Sequence, residues 1–339
     1  MSKTVSVMRR RRKPAGDAQL FVRKSPVERE AELQGMLEES DRLLRNSDGD
    51  SQMVGKALDE LFGGLEAQRL SCTPEEWNTC IQTCREHPVL ELVHQDPFTG
   101  RAYSKPRGYA GDAEMIDLIY ATEEQWPEPN ATPLGLDIYR YTSSAPAAAG
   151  VRARRGFIAD LIDQTTTARP GSDILAIAAG HLREANITTA FKRRRVGRFV
   201  ALDSDAISLQ EVDRCYGRYG VQTIPSPFGQ LITNRLQVGT FDLIYSTGLF
   251  DYLNENTGRR LVTTMFDMLN PGGQLVVANF LPGIRDVGYM ETFMDWKLIY
   301  RSRQSMVDLT MEIEESELRD LTLFTEENQN IIFLKVTKK

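Results

Sequence analysis

Cysteine and histidine are scarce: four Cys (Cys72, Cys80, Cys84, Cys215) and three His (His87, His94, His181) in 339 residues. Four cysteines in so long a chain do not make a disulfide framework, so a reducing cytoplasm is the expected setting. Cys80 and Cys84 lie one helical turn apart with no complementary pair of ligands nearby, which argues against zinc. Long apolar runs are missing as well. The longest, such as residues 174–179, fall far short of the roughly 20 needed to cross a bilayer. Residues 1–24 lack the apolar core of a secretory signal. What is present is ordinary for a soluble globular protein, 41% hydrophobic and 26% charged residues. The length suits one large domain with an extension, or two domains.

Charge is unevenly placed. Residues 1–24 carry eight Lys/Arg against Asp17, a net of +7, so the rest of the chain holds −13 of a total of −6. So acidic a body is a poor binder of phosphate backbones. The run Arg9–Lys13 could serve RNA binding or targeting, but blocks of like charge usually stay solvated and disordered.

Ser25-Pro26-Val27-Glu28 has the cap, first-turn proline and third-position acid of a helix start, and Thr73-Pro74-Glu75-Glu76 repeats it. Val54, Ala57, Leu58, Leu61, Phe62 and Leu65 form a helical stripe. A Pro/Gly-rich passage over 87–111 reads as loop, and Met115, Ile116, Ile119 and Tyr120 as a short helix. Pro127, Pro129 and Pro133 break the chain, and Ser144 caps a further helix toward Gln164. After Arg169-Pro170-Gly171, β-rich runs at 173–178, 198–202, 221–224, 241–246 and 274–280 alternate with helical stretches, the grammar of a parallel sheet covered on both faces. Residues 321–325 and 331–336 flank a turn and predict a hairpin with an antiparallel last strand. The expected architecture is a Rossmann-like doubly wound α/β domain (169–339) following a mostly α-helical cap and substrate domain (25–168) and a basic disordered tail (1–24).

In such sheets ligands sit beyond the carboxyl ends of the strands. The first strand runs into Ala178-Ala179-Gly180-His181, small enough for backbone amides to approach a ligand. The second ends at Asp203-Ser204, with Asp203 23 residues after Gly180, near the separation at which an acid accepts both ribose hydroxyls. Asp203 could equally cap a helix. Ser226 and Phe228 follow the third strand and suit the edge and face of a base; Ser246 and Thr247 end the fourth. Together they describe a pocket for an adenosine-containing cofactor. Arg183 stands where a nicotinamide fingerprint needs its third glycine, which weakens a dehydrogenase reading.

The segments "ALDSD", "FDLIYSTGLFDYL" and "LNPGGQLVVANF" with the terminal hairpin resemble class I S-adenosylmethionine-dependent methyltransferases. "AAGHLREA", "GYMETFMDWKLIYR" and "KPRGYAGDAEMIDLIY" resemble a bacterial subgroup with a helical N-terminal extension. It includes 3-hydroxypalmitate methyl ester synthases and the carboxyl methyltransferases of belactosin and cystargolide biosynthesis, a setting of secondary metabolism. The resemblance implies S-adenosylmethionine as methyl donor and a cap over its pocket. The chain departs from the class at Ala176, Ala178 and Leu182, where an acid and two glycines are usual. Glu184 is the candidate to hold the donor's ammonium in place of that acid, or is simply a first-turn acid favoured by the helix dipole.

A carboxylate acceptor is already ionised at neutral pH, so few candidate bases fit a carboxyl O-methyltransferase that positions rather than deprotonates. The expected acceptor is a small hydroxy acid or fatty acid, giving a methyl ester. Alternatives are a hydroxyl or amine acceptor, or a cofactor-binding regulatory protein without turnover. Arg107 and Tyr109 are the expected positioning pair, Arg107 offering a fork for a carboxylate. Tyr289, Met290, Trp296, Tyr300 and Arg301 are further acceptor-side candidates, although Phe293, Trp296 and Tyr300 also recur at helical spacing as core residues do. Arg152, Arg154 and Arg155 read as surface charges, and Asp251 with Glu255 as a solvated helical face rather than metal ligands. No metal, nucleic acid or membrane is expected as partner; a homodimer is left open.

Overall fold

The computed structural model describes residues 5–6, 25–124 and 129–339. Apart from Val5–Ser6, the expected tail falls outside these residues, as do its Arg9–Lys13 run and Pro127. The chain divides into two compact units. One comprises Gly150–Pro282 and Leu298–Lys339 together with Val5–Ser6; the other comprises residues 25–149 and 283–297. The sequence boundary at 168/169 therefore differs in two respects. The helix Pro146–Ala168 belongs to the α/β unit from Gly150 onward, and a fifteen-residue insert from the C-terminal half belongs to the helical unit.

In the helical unit both capping boxes form. Ser25 and Thr73 each accept from the amide three residues on while Glu28 and Glu76 bond back, opening the helices Pro26–Arg45 and Pro74–Glu86. The predicted stripe is the buried face of the helix Ser51–Ser71. The passage 87–111 is less irregular than expected, since it holds the helices Val89–Val93 and Pro97–Ser104. Pro133 does not break a helix but starts one, Pro133–Ser144, because a proline at the first helical position removes only an amide that has no partner there. Within this unit Gly288 packs on the second helix: a Cβ on it would lie 2.7 Å from the Leu65 carbonyl carbon and 2.8 Å from the Glu66 nitrogen. Gly288→Ala is expected to cost about 2 kcal/mol through overpacking against backbone, read as a lowered urea midpoint at unchanged slope. An unchanged midpoint would refute the close approach.

The α/β unit is built on strands β1 (Val5–Ser6), β2 (Ser172–Ile177), β3 (Val196–Asp203), β4 (Val221–Pro225), β5 (Phe241–Ser246), β6 (Leu269–Phe280), β7 (Leu318–Thr325) and β8 (Ile331–Lys338). Their spatial order is β1-β7-β8-β6-β5-β2-β3-β4. The five strands β6, β5, β2, β3 and β4 pair in parallel; β8 and β7 are antiparallel. Every residue of β5 is buried, as a central parallel strand covered on both faces requires. Strand β6 starts earlier than read: Leu269 already pairs with Phe241, and the register shifts before Gln274. The winding runs outward from β2 through β3 to β4, then restarts at β5 on the other side of β2. In doubly wound sheets such a reversal is where a ligand sits, here at the carboxyl ends of β2 and β5.

Candidate functional site at the carboxyl ends of the strands

The loop after β2 curls through three left-handed residues, Ala178 (φ 54°), Gly180 (φ 53°) and Leu182 (φ 54°). Alanine and leucine adopt here a conformation glycine takes freely, at about 1 kcal/mol or more each. The loop is stitched to β3: Ala179 donates to the Leu202 carbonyl (3.2 Å), and the Gly180 amide to Asp203 Oδ2 (2.8 Å). Asp203 Oδ1 accepts from the Asp205 amide (2.9 Å), and the Asp203 carbonyl from the Ser226 amide (2.9 Å). Burial pushes the Asp203 carboxyl above the usual range, and the Asp205 and Gly180 amides pull it back. The alternative role as helix cap is excluded, because Asp205 is the cap of the helix Ala206–Tyr216. Ser226 is buried, Phe228 packs half-buried against the apolar core, and Ser204 is exposed.

At the end of β5, Ser246 is fully buried and its Oγ has no hydrogen-bond partner. The Tyr245 hydroxyl donates to Glu184 Oε1. Glu184 opens the short helix Glu184–Ile187; desolvation raises its carboxyl, while the Tyr245 bond and the Arg154 and Arg155 charges oppose that rise. His181 is buried beside Arg183, 3.4 Å from its guanidinium.

Two arginines of the long helix, Arg154 and Arg155, are not surface charges, whereas Arg152 is half-buried. Arg154 is 7% and Arg155 5% exposed, and Arg154 donates to the Thr247 carbonyl. Nor is Asp251 solvated: it is 3% exposed, its Oδ1 accepts the Phe280 amide (2.8 Å), and desolvation pushes its carboxyl up to about 6 against the pull of that amide, Arg154 and Arg301. Arg154, Tyr245 and Asp251 are thus residues beside the candidate site whose burial and contacts sequence reasoning missed. The available signal was Arg154 itself, a long cation in a helix otherwise small and apolar on that side.

The acceptor-side expectations fare differently. Arg301 is buried, and its guanidinium donates to the carbonyls of Phe250 and Leu253 and to Asn279 Oδ1. It fastens backbone rather than offering a fork to a ligand. Tyr289 is fully buried in the helical unit, stacked 4.3 Å from Phe62 with its hydroxyl 3.1 Å from Thr99 Oγ1, so it is core. Met290 and Trp296 are buried and Tyr300 is half-buried. The expected helical stripe stops early. The helix is Val287–Phe293, and Asp295 is left-handed (φ 45°), held by Arg85 (2.7 Å) and Lys105. The Arg107 fork is engaged by Glu114, which also takes Arg101, while Tyr109 is 38% exposed.

No family model matches the chain, and no curated protein does. Among solved structures it is similar to a possible exported protein from Bordetella parapertussis, with TM-score 0.55 at 16% identity over 93% of this chain and 99% of that one. It also matches the N-methyltransferase NodS from Bradyrhizobium japonicum with S-adenosyl-L-homocysteine (TM-score 0.40, 15% identity, 56% and 87% of the two chains). A third match is the magnesium protoporphyrin IX methyltransferase ChlM from Synechocystis (TM-score 0.43, 6% identity, 67% and 100%). The Bordetella likeness shows that the fold of nearly the whole chain recurs in a known structure. With its strand order and antiparallel hairpin, the α/β unit has the Rossmann-like methyltransferase fold. Among the described residues no helix is long and apolar enough to cross a membrane.

Proposed function

We propose that this chain is an S-adenosylmethionine-dependent methyltransferase that esterifies the carboxylate of a small hydroxy acid or fatty acid. The observation that carries the donor reading is the joining of the first loop to the β3 acid, Gly180 amide to Asp203 carboxylate at 2.8 Å, beside the reversal of strand order. The residues present fit the donor. Asp203 suits its ribose hydroxyls, Ser226 and Phe228 its base, and Glu184 with Arg154 the opposite charges of its amino-acid end. Buried Ser246 Oγ has hydrogen-bonding capacity left unspent. The donor, when bound, supplies an electrophilic methyl group on a sulfonium.

The protein's own contribution is then alignment and exclusion of water. Asp203 fixes the loop, Arg154 holds the Thr247 carbonyl and with it the end of β5, and Arg301 locks the turn at Phe250–Leu253. A carboxylate acceptor is already ionised at neutral pH and needs no base. The test is product: methyl ester formed from the labelled donor and a carboxylic acid.

Asp251 favours a second reading, methylation of a hydroxyl or amine. A carboxyl near 6 is ionised at neutral pH and could accept a proton. The two readings part in the pH profile. Base catalysis by Asp251 would make kcat/KM fall as pH drops through about 6, with that limb lost in Asp251→Asn. For a carboxyl acceptor, kcat/KM is expected to stay level from pH 8 down to about 6 and to decline only as the acceptor itself protonates.

A further inference from the structure

A second concave site lies at the opposite rim of the α/β unit, where β3 and β4 begin. It is a cavity of about 360 Å³ between the short helix Glu184–Ile187, the turn before β3 and the end of the helix Ala206–Tyr216. Its floor is aromatic: Phe191 and Tyr216 are buried, and Tyr219, 44% exposed, stands 5.9 Å from the Phe191 ring. Its rim is cationic, with Lys192, Arg214 and Arg218 among the lining residues. Arg193 and Arg194 adjoin Lys192 in a tight turn closed by Arg194 N to the Phe191 carbonyl (3.1 Å) and Arg195 N to the Ala190 carbonyl (3.1 Å). Arg194 is left-handed there (φ 50°), and residues 192–194 are exposed.

The charges are not internally balanced. The nearby acids are already engaged: Glu211 with Arg183 and Arg214, Asp213 with Thr223, Asp163 with Thr188 and the Thr189 and Ala190 amides. Among the described residues Lys192, Arg193, Arg194 and Arg218 have no carboxylate partner. Arg218 instead lies over the Tyr219 ring, 4.8 Å from its centroid, and donates to its hydroxyl (3.0 Å). Unneutralised cations on a chain of net charge −6, gathered round a pocket with aromatic walls, match a small anion carrying a planar ring. Guanidinium groups and a lysine suit phosphate oxygens, and an aromatic face suits a base.

We propose that this pocket binds a phosphorylated planar small molecule of the nucleoside diphosphate class, independently of the donor site. The test is calorimetric titration of the full chain with ADP, with S-adenosylhomocysteine saturating the opposite rim. The proposal predicts saturable binding that Lys192→Glu/Arg218→Glu weakens at least tenfold and Tyr219→Ala about fivefold. Arg260→Glu, an exposed charge elsewhere in this unit, should leave it unchanged. Asp203→Ala should also retain it, which separates this site from any adenosine binding at the donor rim. Pyrophosphate alone should bind more weakly at the same residues, and adenosine alone not at all. No saturable heat with ADP, or equal losses in the double variant and Arg260→Glu, would overturn the proposal. So would a single-stranded RNA that binds a hundredfold more tightly than ADP through the same residues, since the surface would then serve nucleic acid.

Discussion

Replacing Asp203 by alanine is expected to weaken binding of S-adenosylhomocysteine by roughly 150-fold, about 3 kcal/mol. Hydrogen bonds to a charged group contribute about 1.5–3 kcal/mol each, and a ribose offers two hydroxyls. The carboxylate also organises its surroundings, because Gly180 and Asp205 donate to its two oxygens. Part of the loss will therefore come from a loosened loop, and a modest fall in stability, about 1–2 kcal/mol, accompanies it. Asp203→Asn separates the two effects. The amide oxygen can keep one of the two backbone bonds, so stability should largely recover while ligand affinity stays well below that of the wild type. Affinity unchanged within threefold in the alanine variant would remove Asp203 from the site.

Arg154→Leu is expected to lower kcat/KM about a thousandfold and stability by about 3 kcal/mol. The larger part of the stability loss is electrostatic. Removing one member of a buried charge group leaves the others uncompensated, typically at about 3–5 kcal/mol, and Arg154 lowers the carboxyls of both Glu184 and Asp251. The sign of the pH dependence follows. Both acids already titrate above their ordinary values, so in the folded chain they hold protons that the unfolded chain has released, and stability falls as pH rises through that window. Without Arg154 their values rise further and the window widens upward. The deficit of the variant should thus shrink as pH falls below about 6, where the Asp251 carboxyl takes up its proton, and be larger at pH 8. Chemical denaturation of both proteins across that range measures it. A deficit independent of pH would mean that Arg154 acts through packing alone.

The strands of the α/β unit were legible because buried strands are short, mostly apolar runs, so 241–246 coincides with the parallel strand β5 and 331–336 lies within the antiparallel β8. The hairpin was legible from its turn residues. Asp203 stood out because an acid directly after such a run lies at the carboxyl rim. What escaped was set by contacts distant in sequence. Asp295 leaves the helix because Arg85 and Lys105 hold it, and no local signal near 295 announces partners some 200 positions away. The assignment of 283–297 to the helical unit depends on Gly288 meeting Leu65. Arg154 and Asp251 looked solvated because long or charged residues usually are; their burial follows from one another's charge and from backbone carbonyls and amides that the sequence does not display. Pro133 was misread for a simpler reason, since proline both starts and stops helices.

The most direct test is to incubate the purified chain with methyl-labelled S-adenosylmethionine and a panel of hydroxy and fatty acids, and to locate the label by mass spectrometry. The proposed function predicts label in a methyl ester, released as methanol by mild alkali, with Asp203→Ala inactive. Label retained after alkali on a hydroxyl or amine would contradict the carboxyl acceptor. Saturable donor binding with no transfer to any acceptor would contradict the enzyme itself.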